Sequence, residues 1–303
     1  MRVSVIICTT GREKLQDCLD SIERQSFSNF ETMVISNSDL ESDLKERDLR
    51  FLKTENRNLS QQRNLGVEES EGEILAFIDD DAEACEEWLE NIVRHYRDED
   101  VMCTGGKVKP KFSSEVPEDL KELDKHIFYG LIGATFIEWD EAKEIESPLI
   151  WGCNISFRKT VFEEIGRFPK ELGRDKGKLM SEEERYLQIK ILENNYKIIY
   201  DPRAVIKHHI DSKRLSEKYL LKRSFWQGVS EAKRIDISGG LKKLAEYKKE
   251  IEKIGPFKFL EKNFEISASK DLKERIDLAR KTGRLAGVMN FLGVEDEEGK
   301  DRT

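Results

Sequence analysis

Leu75-Ala76-Phe77-Ile78-Asp79-Asp80-Asp81 puts three carboxylates directly after a run of apolar residues. A short apolar run without polar alternation suits a strand covered on both faces of its sheet. Ligands of parallel α/β sheets bind beyond the carboxyl ends of the strands, which is where these acids fall. Three like charges so close repel unless a cation offsets them. Mg²⁺ takes one or two carboxylates and fills its other positions with phosphate oxygens and water, so the pattern points to a metal together with a diphosphate. Two other readings stay open at this point. One is a solvated acidic turn capping the next helix; the other is the phosphoacceptor pocket of a receiver domain, which would need a chain less than half as long.

The flanking sequence alternates strand and helix. Val3 to Cys8 reads as a buried strand, and Leu15, Cys18, Leu19 and Ile22 then recur at helical spacing. Thr32 to Ile35 is a second strand, a helix is expected after Ser60, and Trp88, Leu89, Ile92, Val93 and Tyr96 form another helical stripe. The expected class is therefore α/β, a Rossmann-like, mostly parallel sheet flanked by helices. From Val101 the pattern loosens, with Gly105-Gly106, Pro110 and Pro117 as punctuation. A helix is expected around Glu118 to Lys125, a strand over Ile150 to Phe157, a helix over Ser181 to Asn194 and a strand over Lys197 to Tyr200. After His209 the chain reads as helical and highly charged.

With 303 residues the chain can bury a large core and enclose a cleft. Its five cysteines, Cys8, Cys18, Cys85, Cys103 and Cys153, are spread out and form no C-x-x-C pair, which suggests neither a disulfide framework nor a zinc site. No stretch approaches the roughly 18 apolar residues of a spanning helix. A cytoplasmic location is expected. The net charge of −9 argues against non-specific nucleic-acid binding as the main role. An acidic protein that binds an anionic nucleotide needs a cation or local basic groups.

Several segments together resemble the inverting family 2 glycosyltransferases of the GT-A fold. Val3-Ser4-Val5-Ile6-Ile7-Cys8-Thr9-Thr10-Gly11-Arg12 is similar to that family's opening strand and turn, with Cys8 and Thr10 standing where Pro and Tyr are usual. Ser36-Asn37-Ser38 stands where two aspartates are common, and Asn37 falls on the base-reading position. Gln62-Arg63-Asn64-Leu65-Gly66 resembles the A-R-N-x-G segment, and Asp79-Asp80-Asp81 matches the D-x-D motif. Gly105-Gly106-Lys107 and Trp151-Gly152-Cys153-Asn154-Ile155-Ser156-Phe157-Arg158 match later segments on the acceptor side. The resemblance implies transfer of a sugar from a nucleotide-sugar, with UDP favoured, to a hydroxyl of a glycan or polyprenyl-linked acceptor. It implies nucleotide contacts from Thr9, Thr10, Arg12, Asn37, Arg63, Asp79 and Asp80. Mn²⁺ or Mg²⁺ would be held by Asp81 and Asp79, with His208 close by, and the acceptor would meet Trp151, Gly152 and Asn154. The halves would be residues 1–104 for the nucleotide-sugar and 105–212 for the acceptor, followed by a helical extension over 213–303.

The same resemblance puts Glu184 of Ser181-Glu182-Glu183-Glu184 on the catalytic base, with Glu183 in reserve. The competing reading is a capping box, in which Ser181 is the N-cap and Glu184 reaches back to its N–H. Two further functions remain distinct alternatives: a sugar nucleotidyltransferase, which usually carries a Gly-rich loop after its first strand that Cys8-Thr9-Thr10-Gly11-Arg12 lacks, and a nucleotide- or glycan-binding module on a degenerate transferase fold. In the extension, Lys213, Arg214, Lys218, Lys222 and Arg223 are mixed with Leu215, Tyr219, Leu220, Phe225 and Trp226. Such a stretch, 213–234, can lie on the anionic inner face of a membrane or pack as an amphipathic helix on the protein.

Overall fold

A computed structural model describes residues 1–11, 14–40, 44–174, 177–239 and 271–291. These residues divide into two compact units: residues 1–176 with 183–215, and residues 177–182 with 216–303.

The first unit is built on one mixed sheet. Strand β1 (Val3–Thr9) lies between β2 (Phe30–Ser36) and β4 (Ile74–Asp79), both parallel to it, and β3 (Arg50–Lys53) extends the parallel half beyond β2. Helix α1 (Leu15–Glu23) connects β1 to β2, and α2 (Leu59–Glu69) connects β3 to β4. The apolar runs read from sequence are these strands: Val3, Val5, Ile7, Ile74, Leu75 and Ala76 are all fully buried. Helix α2 seats closely, since a Cβ on Gly66 would lie 2.7 Å from Ile6 and 2.8 Å from Ile35.

Antiparallel pairings enter beyond β4. The full order is β3-β2-β1-β4-β8-β6-β9-β5, where β5 is Ala82–Ala84, β6 Val101–Phe112, β8 Asn154–Arg158 and β9 Lys197–Ile210. The two-residue β7 (Lys143–Glu144) pairs with β9. Strand β8 runs antiparallel to both neighbours, whereas β6 and β9 are parallel. The division expected at residues 104 and 105 falls inside β6, so the two halves share a strand. The loosened pattern after Val101 is thus a twelve-residue strand. Its glycines are needed for close approach: a Cβ on Gly105 would sit 2.3 Å from the Asn154 carbonyl oxygen, and one on Gly106 2.2 Å from that of Asp201. Pro110 pairs with β9 beyond the part of β6 that pairs with β8, where a missing N–H costs no second ladder.

Around the sheet lie α3 (Trp88–Val93), the short α4 (Glu118–Lys121), α5 (Lys125–Ile132), α6 (Val161–Glu164) and α7 (Glu183–Glu193). An aromatic cluster of Phe77, Phe157, Phe162 and Phe168, with ring centroids 5.2 to 6.3 Å apart, fills the core under β4 and β8.

The second unit joins residues 177–182 to α8 (Glu217–Ile237) and α9 (Leu272–Phe291). The two helices run side by side in the same direction, as the successive contacts Gly228 with Arg280 and Ala232 with Gly287 require. A Cβ on Gly228 would lie 2.0 Å from the Arg280 carbonyl oxygen, and one on Gly283 1.8 Å from that of Phe225. Buried Glu231 accepts from Arg280 and from Arg284. Burial pushes its pKa up, but the two guanidinium groups outweigh this and hold it below the ordinary value. No described helix is long and apolar enough to cross a membrane.

Asp201 on β9 has a fully buried side chain and accepts from Arg94, His95 and Arg203. Burial raises its pKa, whereas these donors lower it further and leave it well below the usual carboxylate range. A depressed folded-state pKa contributes stability above the unfolded value, about 3.9, and loses it as the pH falls through the folded one. Asp201→Asn is expected to cost about 3 kcal/mol in urea unfolding at pH 7. The gap from wild type should narrow below about pH 4 as the wild-type carboxylate protonates. A gap that does not change with pH would assign the cost to packing alone.

Candidate active site

The carboxyl ends of β1 and β4 and the last turns of β9 bring the predicted residues to one side of the sheet. Thr9 ends β1 and is 2% exposed; its hydroxyl donates to Asp80 at 2.5 Å and accepts from the Gly11 N–H at 2.9 Å. Gly11 takes φ 86°, a left-handed conformation that suits glycine. The Thr10 carbonyl accepts from the Ser38 hydroxyl at 2.8 Å, which links the turns after β1 and β2. In that second turn, Asn37 Oδ1 is buried and has no hydrogen-bond partner. A buried unsatisfied acceptor costs about 1–3 kcal/mol, so this atom is a place where a ligand N–H would bind favourably. Arg12 lies outside the described residues.

Arg63 is the centre of the next layer. Helix α2 starts at its N-cap Asn58, whose side chain accepts from the Gln61 N–H, and carries Arg63 inward at 3% exposure. One guanidinium nitrogen donates to Glu183 at 2.9 Å; the other donates to the Gly152 carbonyl at 3.0 Å and to Asp79 at 3.3 Å. The guanidinium carbon also lies 5.6 Å from the Phe168 ring centroid and 5.9 Å from that of Phe77. Burial lowers the Arg63 pKa, but Glu183 and then Asp79 more than reverse this, so the group is held above its already high value. Neighbouring Asn64 exchanges two hydrogen bonds with the backbone of Phe168, at 2.9 and 3.0 Å, and fixes the helix against that loop.

The site is lined by thiols that stay protonated. Burial, with Asp79 and Asp80 adding to it against Arg63, pushes Cys8 up to about 12. Burial likewise raises Cys18 and Cys153.

Helix α7 begins at Glu183, two residues after Ser181. Glu182, at φ 84°, occupies the position before it, so Ser181 does not stand at the N-cap that a capping box needs. Within the second unit the Ser181 hydroxyl instead donates to Gln227 and accepts from Arg223, both at 3.1 Å. Glu184 is half-buried on the first turn of α7. Gln188, one turn on, grips the Ile150 backbone through both its N–H and its carbonyl, which fixes α7 against the Trp151-Gly152 turn. Buried Glu183 directs Oε1 to Arg63 and leaves Oε2 without a hydrogen-bond partner.

Two expected acceptor residues have other work. Asn154 is fully buried; it accepts from the Trp88 indole at 2.8 Å and donates to the carbonyls of Ala204 at 2.8 Å and Lys107 at 3.1 Å. With these bonds made and no exposed surface, it braces β8 against its neighbours, and contact with an acceptor is closed to it. Gly152 serves Arg63: its carbonyl accepts the guanidinium, and a Cβ there would lie 3.0 Å from it. Trp151 is half-buried.

Asp79, Asp81 and His208 each offer a ligand atom, and these atoms lie within 4.8 Å of one another. His208 Nδ1 is 2.8 Å from the Gly133 carbonyl, which can only accept, so that nitrogen carries the proton; Nε2 lies 3.2 Å from an Arg214 guanidinium nitrogen, which can only donate, and so presents its lone pair. A ring N–H held by a carbonyl is how metal-ligating histidines are usually oriented, and His208 Nε2 faces Asp81 Oδ1 at 3.2 Å. This donor set fits a divalent cation. Sequence reasoning missed Arg214, which donates to Asp81 at 3.1 Å and to His208 at 3.2 Å. It stands in a basic stretch, and nothing in its spacing marks it apart from its neighbours. A second group, Asp17, Glu83 and His209, is more exposed, and Lys111 already neutralises Glu83 at 2.6 Å.

Comparison with known proteins bears on this geometry. Residues 4–166 match the profile described as glycosyl transferase family 2. The chain is 31% identical over 244 residues to the glucosyl-dolichyl phosphate glucuronosyltransferase of Haloferax volcanii, covering 76% of each protein. Among solved structures it resembles the mannosyltransferase PcManGT of Pyrobaculum calidifontis in complex with GDP-Man and Mn²⁺, at a TM-score of 0.54, 18% identity, and 98% and 76% coverage of the two chains. It also resembles residues 1–349 of S. aureus TarS in complex with UDP, at a TM-score of 0.51, 18% identity, and 100% and 92% coverage. At these identities the two structures establish the fold alone, which is GT-A. Some relatives are longer, and the chain spans only 39% of one of them.

Arg63 should be the costliest polar residue of the site to remove. Arg63→Met leaves Glu183 and Asp79 without their shared cation and is expected to lower stability by about 3–5 kcal/mol in urea unfolding. Combining it with Glu183→Met should recover part of that loss. A single-variant cost below about 1 kcal/mol would mean that the buried charges find other partners.

Proposed function

The chain belongs to glycosyl transferase family 2, and we propose that it moves a sugar from a UDP-sugar to a hydroxyl of a lipid-linked glycan with a divalent cation bound. It is a transferase that uses a nucleotide-sugar; the identity of the nucleotide, the cation and the acceptor are the proposed parts. The observation that carries the reading is the convergence of Asp79, Asp81 and His208 beside the Arg63–Glu183 pair at the strand ends.

Several features support the nucleotide assignment. The orphan Asn37 Oδ1 suits an imide N–H such as that of uracil, and the turn at Thr9 and Thr10 would enclose the nucleoside, with Arg12 proposed from the family resemblance. Asp80 would shape that turn through Thr9, and Asp79 would face the ribose side with its second oxygen while Arg63 holds the first. UDP is bound in the TarS neighbour and GDP-Man in PcManGT, so the fold accommodates either base. The dolichyl phosphate in the name of the Haloferax relative supports a polyprenyl-linked acceptor.

Asp81, Asp79 and His208 would hold Mn²⁺ or Mg²⁺, which when bound offsets the charge of a leaving diphosphate. The protein's own groups do the rest. Half-buried Trp151 would meet the acceptor. Glu184 would take the proton of the acceptor hydroxyl as that oxygen attacks the anomeric carbon from the face opposite the diphosphate. Glu183 has its Oε1 committed to Arg63 and stays the reserve candidate. Exposed Lys218 and Lys222 on α8 support a peripheral contact with anionic lipid on the cytoplasmic face.

Glu184→Gln is expected to reduce sugar transfer by about 10²–10⁴ while donor affinity, read by titration calorimetry with Mn²⁺, stays within about twofold. Near-normal turnover in this variant would pass the role of base to another group. For the lipid contact, Lys218→Glu with Lys222→Glu should weaken binding to vesicles rich in phosphatidylserine by at least roughly 30-fold, at about 1 kcal/mol per basic residue lost near the surface. Equal binding would leave α8 with packing alone.

A further inference from the structure

The inference rests on the cation site just proposed. We propose that Arg214 is the resident counter-cation of that site in the free protein, so that a divalent cation enters by displacing the Arg214 guanidinium and the donor diphosphate favours the exchange.

The geometry around Asp81 is the reason. His208 Nε2 presents a lone pair 3.2 Å from Asp81 Oδ1, because Nδ1 donates to the Gly133 carbonyl and Nε2 itself faces a guanidinium donor. Two acceptors facing each other in a part-buried pocket repel unless positive charge lies against them. Arg214 supplies it, with Nη2 on Asp81 Oδ2 at 3.1 Å and Nη1 on His208 Nε2 at 3.2 Å. These are the residues a metal needs, and the Nε2 lone pair cannot serve an N–H and a metal at once. Cation and guanidinium therefore compete for the same ligands.

The two arginines of the site differ in what else holds them. Arg63 is 4% exposed in its side chain and is locked by Glu183 and the Gly152 carbonyl in addition to Asp79. Arg214 is 15% exposed, and outside the Asp81–His208 pair it makes a long bond to the Ile132 carbonyl at 3.3 Å. It stands on a short 3-10 turn, Ser212–Arg214, whose N-cap Asp211 accepts from the Lys213 N–H, so the backbone can stay in place while the side chain swings. A guanidinium released there has the planar fork that suits phosphate oxygens. A nucleoside diphosphate brings such oxygens to the same place. Metal and nucleotide should then bind with positive coupling, each strengthening the other by the same factor.

The test is a Mn²⁺ titration of the full chain, read by the electron paramagnetic resonance of free Mn²⁺, with and without UDP and in parallel with GDP. Wild type, Arg214→Gln and Arg214→Lys are compared after circular dichroism shows that each is folded. Without nucleotide, Arg214→Gln should bind Mn²⁺ at least about fivefold more tightly than wild type, the low end of ordinary coupling between sites. Arg214→Lys, which keeps the charge but not the fork, should fall between the two. The strengthening of Mn²⁺ binding by UDP or GDP should shrink in Arg214→Gln by a similar factor. Equal or weaker Mn²⁺ binding in nucleotide-free Arg214→Gln and Arg214→Lys, with wild type binding Mn²⁺ in the presence of nucleotide, overturns the inference and leaves the cation site standing. Absence of Mn²⁺ binding in wild type under every condition overturns the cation site and the inference together.

Discussion

The buried guanidinium of Arg63 is the interaction on which the site depends. It reaches four segments far apart in sequence: its own helix α2, Asp79 at the end of β4, the Gly152 carbonyl before β8, and Glu183 at the start of α7. Two carboxylates and a carbonyl oxygen pointing into one buried space would drive those segments apart. A single always-charged, planar donor holds them together and fixes the angle between the acidic end of β4 and the helix that carries Glu184. Stability and chemistry are therefore coupled here, because the group that offsets the buried charge also sets the distance between the donor side and the proposed base.

The cation site follows a different logic. Arg63 neutralises one oxygen of Asp79 permanently, whereas Asp81 and His208 are held by Arg214, a less deeply buried residue with fewer competing bonds. One arginine is structural and the other is proposed to be exchangeable. With the proposed exchange, that asymmetry would let a site rich in acids stay compact without a metal and still admit one. The less buried Asp17, Glu83 and His209 group lacks such a reserve, since Lys111 already sits on Glu83.

Much of the fold was legible in the sequence because buried parallel strands must be apolar without alternation. Val3 to Thr9 and Ile74 to Asp79 are such runs, and the acids after the second fall at the strand end where the sheet gathers its ligands. Strand β6 was illegible because Gly105, Gly106 and Pro110 read as punctuation, and the close approach of Asn154 and Asp201 that requires those glycines exists only in the folded sheet. Strand β3 was missed because a four-residue edge strand of Arg50, Phe51, Leu52 and Lys53 carries too little pattern. In the site, D-x-D and Arg63 were readable as motifs, but the use of Asn154 as a brace and of Arg214 as a counter-cation depends on distances that spacing does not encode.

The central claim is a single displacement at the anomeric carbon, with Glu184 as the base. The stereochemistry of the product tests it most directly. A panel of α-linked nucleotide-sugars can be offered with a polyprenyl-phosphate-linked sugar acceptor, and the new linkage read from the anomeric proton coupling by NMR. We expect a β-linked product from an α-linked donor, since attack opposite the leaving diphosphate inverts the centre. An α-linked product would contradict the mechanism, whatever the affinity for metal or nucleotide.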